Sequence, residues 1–129
     1  MFIKVNASVD RGAAEIVSAL SLFERLETIE SCEGTAEAGP WVCFHYGKYW
    51  DQPWRELAEF LLGWLSPRLV ELIGDDAVLT IRVTPSAKIL GEISVRFGAT
   101  QRVAAALRAL ANAYPLTATD AEPILGGSL

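Results

Sequence analysis

The segment from Asp51 to Gly74 constrains the fold of this 129-residue chain more than any other. The Asp51 carboxylate suits the exposed backbone donors of a helix start, and Pro53 fits the first turn, where its missing N–H costs nothing. Trp54, Leu57, Ala58, Leu61 and Leu65 then recur at i, i+3, i+4, i+7 and i+11, while Arg55, Glu56 and Glu59 gather opposite. Phe60, Leu62 and Trp64 widen the apolar arc to roughly half the circumference at ~100° per residue. So broad an arc calls for two partners, a sheet and a second subunit, with Phe60 and Trp64 expected at the subunit interface. Ser66-Pro67 predicts a kink or restart, and Gly74 the end of the helix.

Strand patterns flank this helix. Phe2 to Ala7 alternates Ile3 and Val5 with Lys4 and Asn6, Leu26 to Cys32 carries Thr28 and Ile29, and Trp41 to Tyr46 is dense in β-formers. Val78 to Thr84 turns Leu79, Ile81 and Val83 to one side, and Glu92 to Phe97 does the same with Ile93, Val95 and Phe97. The link between these two, through Pro85, Ser86 and Gly91, is short enough for an antiparallel hairpin. Asp10 predicts a helix to about Arg25 with Ala14, Val17, Leu20 and Leu22 inward. Thr100 predicts a capped helix with Val103, Leu107, Leu110 and Tyr114 inward, stopped by Pro115. The order βαββαββα predicts an α+β fold: one domain over residues 1–115, with a mainly antiparallel sheet of about five strands and helices on one face. Its first six elements match the order of a split-βαβ domain. Residues 116–129, small and polar with Gly126-Gly127, predict a flexible or irregularly docked tail.

Hydrophobic residues make up 51% and charged residues 21%, so the chain should fold rather than stay disordered. No apolar run reaches the ~18 residues of a membrane span, and Met1 to Asp10 lacks the pattern of a signal peptide. A cytoplasmic protein without membrane contact is therefore expected. A net charge of −5 has the wrong sign for general attraction to polyphosphate, which argues against nucleic acid. The charge is uneven, however, and between residues 82 and 108 Arg82, Lys88, Arg96, Arg102 and Arg108 are accompanied by only one acid, Glu92.

Candidate chemistry is sparse. His45 is the single histidine, two residues after Cys43, and with Cys32 and Glu30 or Glu33 it matches no compact zinc spacing. Two reduced, buried cysteines and a hydrogen-bonded histidine are expected, with a Cys32–Cys43 bridge geometrically open if their strands pair. Eight of the twelve aromatics lie between Trp41 and Trp64. Most should pack in the core or an interface, while Tyr49 and Trp50, in the loop before the helix, are placed to stack on a flat ligand. Neither a glycine-rich phosphate cradle nor an elbow serine is present, so the residues themselves call for no cofactor.

Thr28-Ile29-Glu30-Ser31-Cys32-Glu33-Gly34, followed by Trp41-Val42-Cys43-Phe44-His45, resembles the motif pair of the tRNA wybutosine-synthesising methyltransferase family. Thr28, Ser31, Cys32, Gly34, Trp41 and His45 occupy matching kinds of position, and Leu90 to Ala111 is similar to the family's closing strand and helix. Thr35 stands where the family has a basic residue, and the spacing from Trp41 to His45 is one residue shorter. The resemblance implies a related fold and, if activity is retained, S-adenosylmethionine as methyl donor and a tRNA guanosine as acceptor. Ser31, Cys32 and His45 would then form the site, with Arg82 or Arg96 on phosphate.

Two functional expectations follow. The first is a noncatalytic, self-associating module, a homo-oligomer that binds a small ligand or a protein through Ser31, Cys32, His45, Arg82, Arg96, Tyr49 and Trp50. The second is the methyltransferase-like enzyme.

Overall fold

In the computed structural model, residues 11–34, 38–47, 53–86 and 88–114 are described. Along the chain these form α1 (Arg11–Leu20), β1 (Leu26–Cys32), β2 (Trp41–Tyr46) and α2 (Pro53–Phe60). After a π-helical turn, Leu61–Leu65, come α3 (Ser66–Ile73), β3 (Ala77–Val83), β4 (Ile89–Val95) and α4 (Thr100–Ala113). The expected strand at residues 2–7, the tail from 116, and Tyr49 and Trp50 lie outside the described residues.

The four described strands make one antiparallel sheet in the order β1-β2-β4-β3. Two hairpins, β1–β2 and β3–β4, are joined along their inner strands, and the long helix connects them. The α+β class expected from the sequence is the class observed. On the helix side Val42, Phe44 and Tyr46 of β2 lie beside Ile93 and Val95 of β4, and all are buried. Leu57, Phe60, Leu61, Leu65, Leu69 and Ile73 roof this layer, with Val103, Leu107 and Leu110 of α4 and Ile16, Leu20 and Phe23 completing the core.

The central contact depends on Gly91. It sits opposite Phe44 in the register, and a Cβ there would fall 2.6 Å from the Phe44 ring and 3.1 Å from Leu57 Cδ1. The glycine therefore belongs inside β4, not to the hairpin link where its flexibility suggested it. The aromatic ring occupies the place its side chain would have taken.

Pro67 acts one turn earlier than expected. Its ring nitrogen cannot donate to the carbonyl four residues back, and the chain widens before it, with the Ser66 N–H reaching Leu61 O. The widening also serves packing. A four-residue step advances ~40° too far on a regular α-helix, so Leu57, Leu61, Leu65, Leu69 and Ile73 would wind off the core. The π turn takes up part of that drift, and all five are buried. Gly74, at φ 62°, ends the helix as the sequence predicts.

Other boundaries move. α1 stops at Leu20 because the chain tightens to three-residue bonds, Leu22 N to Ala19 O and Phe23 N to Leu20 O. Its buried face is Ala13, Ile16, Ala19 and Leu20, continued by Phe23, while Ala14 and Leu22 turn outward. Thr100 is the first helical residue of α4, not its cap, since Ala99 holds that position. Phe97 falls past the end of β4 in the turn before α4 and is exposed instead of buried.

The aromatics expected at a subunit interface are largely spent inside. Phe60 stacks on Tyr46 at 4.1 Å between centroids and meets Phe23 and Tyr114 edge-on at 5.5 and 5.6 Å. Trp64 lies edge-on to Tyr114 at 4.8 Å, with the Arg68 guanidinium 4.7 Å from its ring. The Tyr46 and Tyr114 hydroxyls share a hydrogen bond, tying the end of α4 to β2. Beyond this cluster, two ion pairs fasten α4: Arg108 to Glu15 of α1 at 2.8 Å, and Arg102 to Asp76 before β3 at 2.5 Å.

Gly91→Ala should destabilise the chain by about 1–3 kcal/mol, since the methyl group must displace Phe44 or Leu57. Phe60→Ala should cost about 3–5 kcal/mol. Urea denaturation followed by tryptophan fluorescence measures both, and a Gly91→Ala midpoint equal to that of the unsubstituted chain would refute the packing described.

Candidate functional site

The sheet face turned away from the helices carries every second residue of β2: Trp41, Cys43 and His45. In register beside them lie Glu27, Glu30 and Cys32 on β1, Glu92 and Ser94 on β4, and Val78, Thr80 and Arg82 on β3. Although this face lies outside the core, Cys43 is fully buried and His45 is 5% exposed.

Arg82 reaches from β3 to Cys43. Its Nη1 donates to Cys43 Sγ at 3.2 Å and to Glu92 Oε1 at 3.3 Å, and Ser94 Oγ donates to Glu92 Oε2 at 3.4 Å. A polar strip thus runs from β3 across β4 to β2. Burial pushes the Cys43 thiol up, and the negative charges of Glu92 and Glu30 add to this. The Arg82 hydrogen bond and charge pull the other way without cancelling it. Cys43 is therefore a thiol at neutral pH, a buried acceptor for arginine and not an activated nucleophile.

The residues expected to form a site are spread out. Ser31 pairs with Val42 and so belongs to the helix side, whereas Cys32 pairs with Trp41 and belongs to the outer face. Cys32 is half-buried, and its Sγ accepts the Gly34 N–H at 3.4 Å. His45 lies opposite Glu27, four residues along β2 from the partner of Cys32, or about 13 Å at the usual strand rise. Both cysteines are free thiols, placed diagonally across the β1–β2 ladder. Arg96 sits at the far end of β4, with Nη2 3.2 Å from Asp75 Oδ1 and Nε 3.7 Å from Asp76 Oδ1. It joins Arg102 in holding the turn before β3. Arg82 and Arg96 are not brought together, and each faces a carboxylate. Among the described residues no three His, Cys, Asp or Glu side chains gather as metal ligands would, and no helix is long and apolar enough to cross a membrane.

Sequence patterning missed the feature that stands out in three dimensions, the outer edge of β3. Leu79, Ile81 and Val83 read as core residues because they alternate cleanly. Of these, only Leu79 packs against the core, since the strand lies beyond the helical roof. Ile81 is 43% exposed and Val83 69% on the helix side, and Val78 is 53% exposed on the other. β3 thus presents apolar side chains on both faces and pairs, among the described residues, with β4 alone. Alternation shows which residues share a face; it carries no information on which strand ends a sheet.

The opposite edge is built differently. β1 has a register shift between Thr28 and Glu30, and it exposes Glu27 and Glu30. A bulge and outward carboxylates are ordinary protections against unwanted strand pairing. β3 has neither, and its one charged side chain, Arg82, is directed to Cys43 and Glu92.

Comparison with known proteins gave no matching family model, no curated relative and no similar solved structure.

The thiols offer a direct check of this geometry. In the native chain Cys32 should react with a thiol reagent well before Cys43, and in urea both should react. Because the folded chain keeps Cys43 as a thiol where the unfolded chain ionises it, its contribution to stability is complete below the ordinary thiol value. It is lost as pH rises through the higher folded value. Cys43→Ala should remove that part of the alkaline decline; two equally fast native thiols would contradict the burial of Cys43.

Proposed function

We propose that this chain is a noncatalytic binding module that takes up an extended protein segment along the outer edge of β3, which carries no further strand among the described residues. The observation that carries the reading is the seven-residue strand Ala77–Val83, unbulged in its pairing with β4, paired among the described residues with no other strand, and exposing Ile81 and Val83 on one face and Val78 on the other. An exposed edge offers a row of backbone donors and acceptors at strand spacing, which is what an added strand requires. Main-chain hydrogen bonds supply affinity without regard to sequence. Specificity comes from side chains that fit beside Ile81 and Val83 on one face and beside Val78 and Arg82 on the other.

The neighbouring chemistry fits recognition better than bond-making. The Cys43 thiol is held protonated, Arg82 is tied to Glu92, and Cys32 and His45 lie too far apart to relay a proton between them. Arg82 can still meet an incoming group, since half of its side-chain surface is open.

A library of seven- to ten-residue unstructured peptides, screened against the folded chain at low concentration, tests the proposal. Retained peptides should be rich in alternating apolar residues and should slow amide exchange in 77–83. Ile81→Lys should weaken them by about tenfold or more while leaving the circular dichroism spectrum unchanged. Failure to retain any peptide, or retention that Ile81→Lys leaves untouched, would overturn it.

A further inference from the structure

Resting on the reading of β3 as a binding edge, we infer that its occupant is β3 of a second copy, antiparallel about a two-fold axis through Thr80. The strand is complementary to itself in this register. Ala77 comes opposite Val83 and Leu79 opposite Ile81, so the helix-side row is wholly apolar. Thr80 meets Thr80, a favourable cross-strand pair, and Val78 meets the aliphatic stem of Arg82. The exposed apolar side chains of the strand, Val83, Val78 and Ile81, each gain a neighbour.

Charge does not oppose this occupant at the contact. Each copy carries a net charge of −5, yet β3 holds no acidic residue, so the repulsion between copies does not fall on the contact strand. The two Arg82 side chains would stand about four residues apart along the paired strands, or ~14 Å, beyond the ~8 Å over which salt screens exposed charges. Each remains neutralised within its own copy by Glu92. Pairing β3 with β1 of another copy would instead meet the break in register between Thr28 and Glu30. It would also leave a free edge at either end, and so an open filament where the two-fold pair closes on itself. The result is a continuous sheet running through both copies, with the two helical roofs on one side.

Analytical ultracentrifugation of the full chain at concentrations up to about 1 mM provides the test. The unsubstituted chain should reach the mass of a dimer, and Ile81→Lys or Val83→Lys should raise the dissociation constant by about tenfold or more. In a Cys32→Ser background, Thr80→Cys should cross-link across the axis on mild oxidation, and Val78→Cys, which would face Arg82, should not. A dimer that is indifferent to both lysine substitutions and gives no Thr80→Cys cross-link overturns the inference. A chain that stays monomeric while still binding peptides on 77–83 also overturns it but leaves the edge reading standing, whereas a monomer that binds none removes both.

Discussion

The contact of the Phe44 ring with the backbone of Gly91, beneath Leu57, holds the architecture together. It joins the two hairpins at their shared seam and fixes the long helix over that seam. Because side-chain direction alternates along a strand, fixing Phe44 inward also fixes Trp41, Cys43 and His45 outward. The outer polar strip is thus a consequence of core packing. Arg82 can reach Cys43 only because β4 between them is held in register with both neighbouring strands.

Much of this was legible in the residues, and the misses have physical causes. The four described strands, the helix from Pro53 and the helix from Thr100 follow from periodicity and from proline and glycine placement, signals local to each segment. The fate of Phe60 was not local. Its arc on the helix was correctly apolar, but whether a neighbouring subunit or the same chain would cover it depended on where Phe23, Tyr46 and Tyr114 arrive in space. Gly91 was misplaced for a related reason: a glycine in a strand and a glycine in a turn look alike until the ring that replaces its side chain is known.

The candidate site was less legible than the fold. Arg82 was singled out for phosphate, but its nearest partners are a thiol and a carboxylate on two neighbouring strands. Ser31 and Cys32, adjacent in sequence, part to opposite faces because they occupy consecutive positions of one strand. A linear motif containing both cannot present both to one ligand from this strand. The exposed apolar edge escaped notice because β3 has the regular alternation of a half-buried strand, and only the sheet order shows that the roof stops short of it.

The widened turn at Leu61–Leu65 has a consequence for how the helix would tolerate a change of length. It behaves as a single surplus residue lodged where the helix passes from covering the sheet to covering α4. Gain or loss of a residue within that turn could be absorbed by a change in local winding, with both flanking halves keeping their apolar stripes aligned. The same indel a few residues upstream would rotate Leu57 away from the Phe44 seam. The helix therefore has one place where its spacing is negotiable, set between two stretches where it is not.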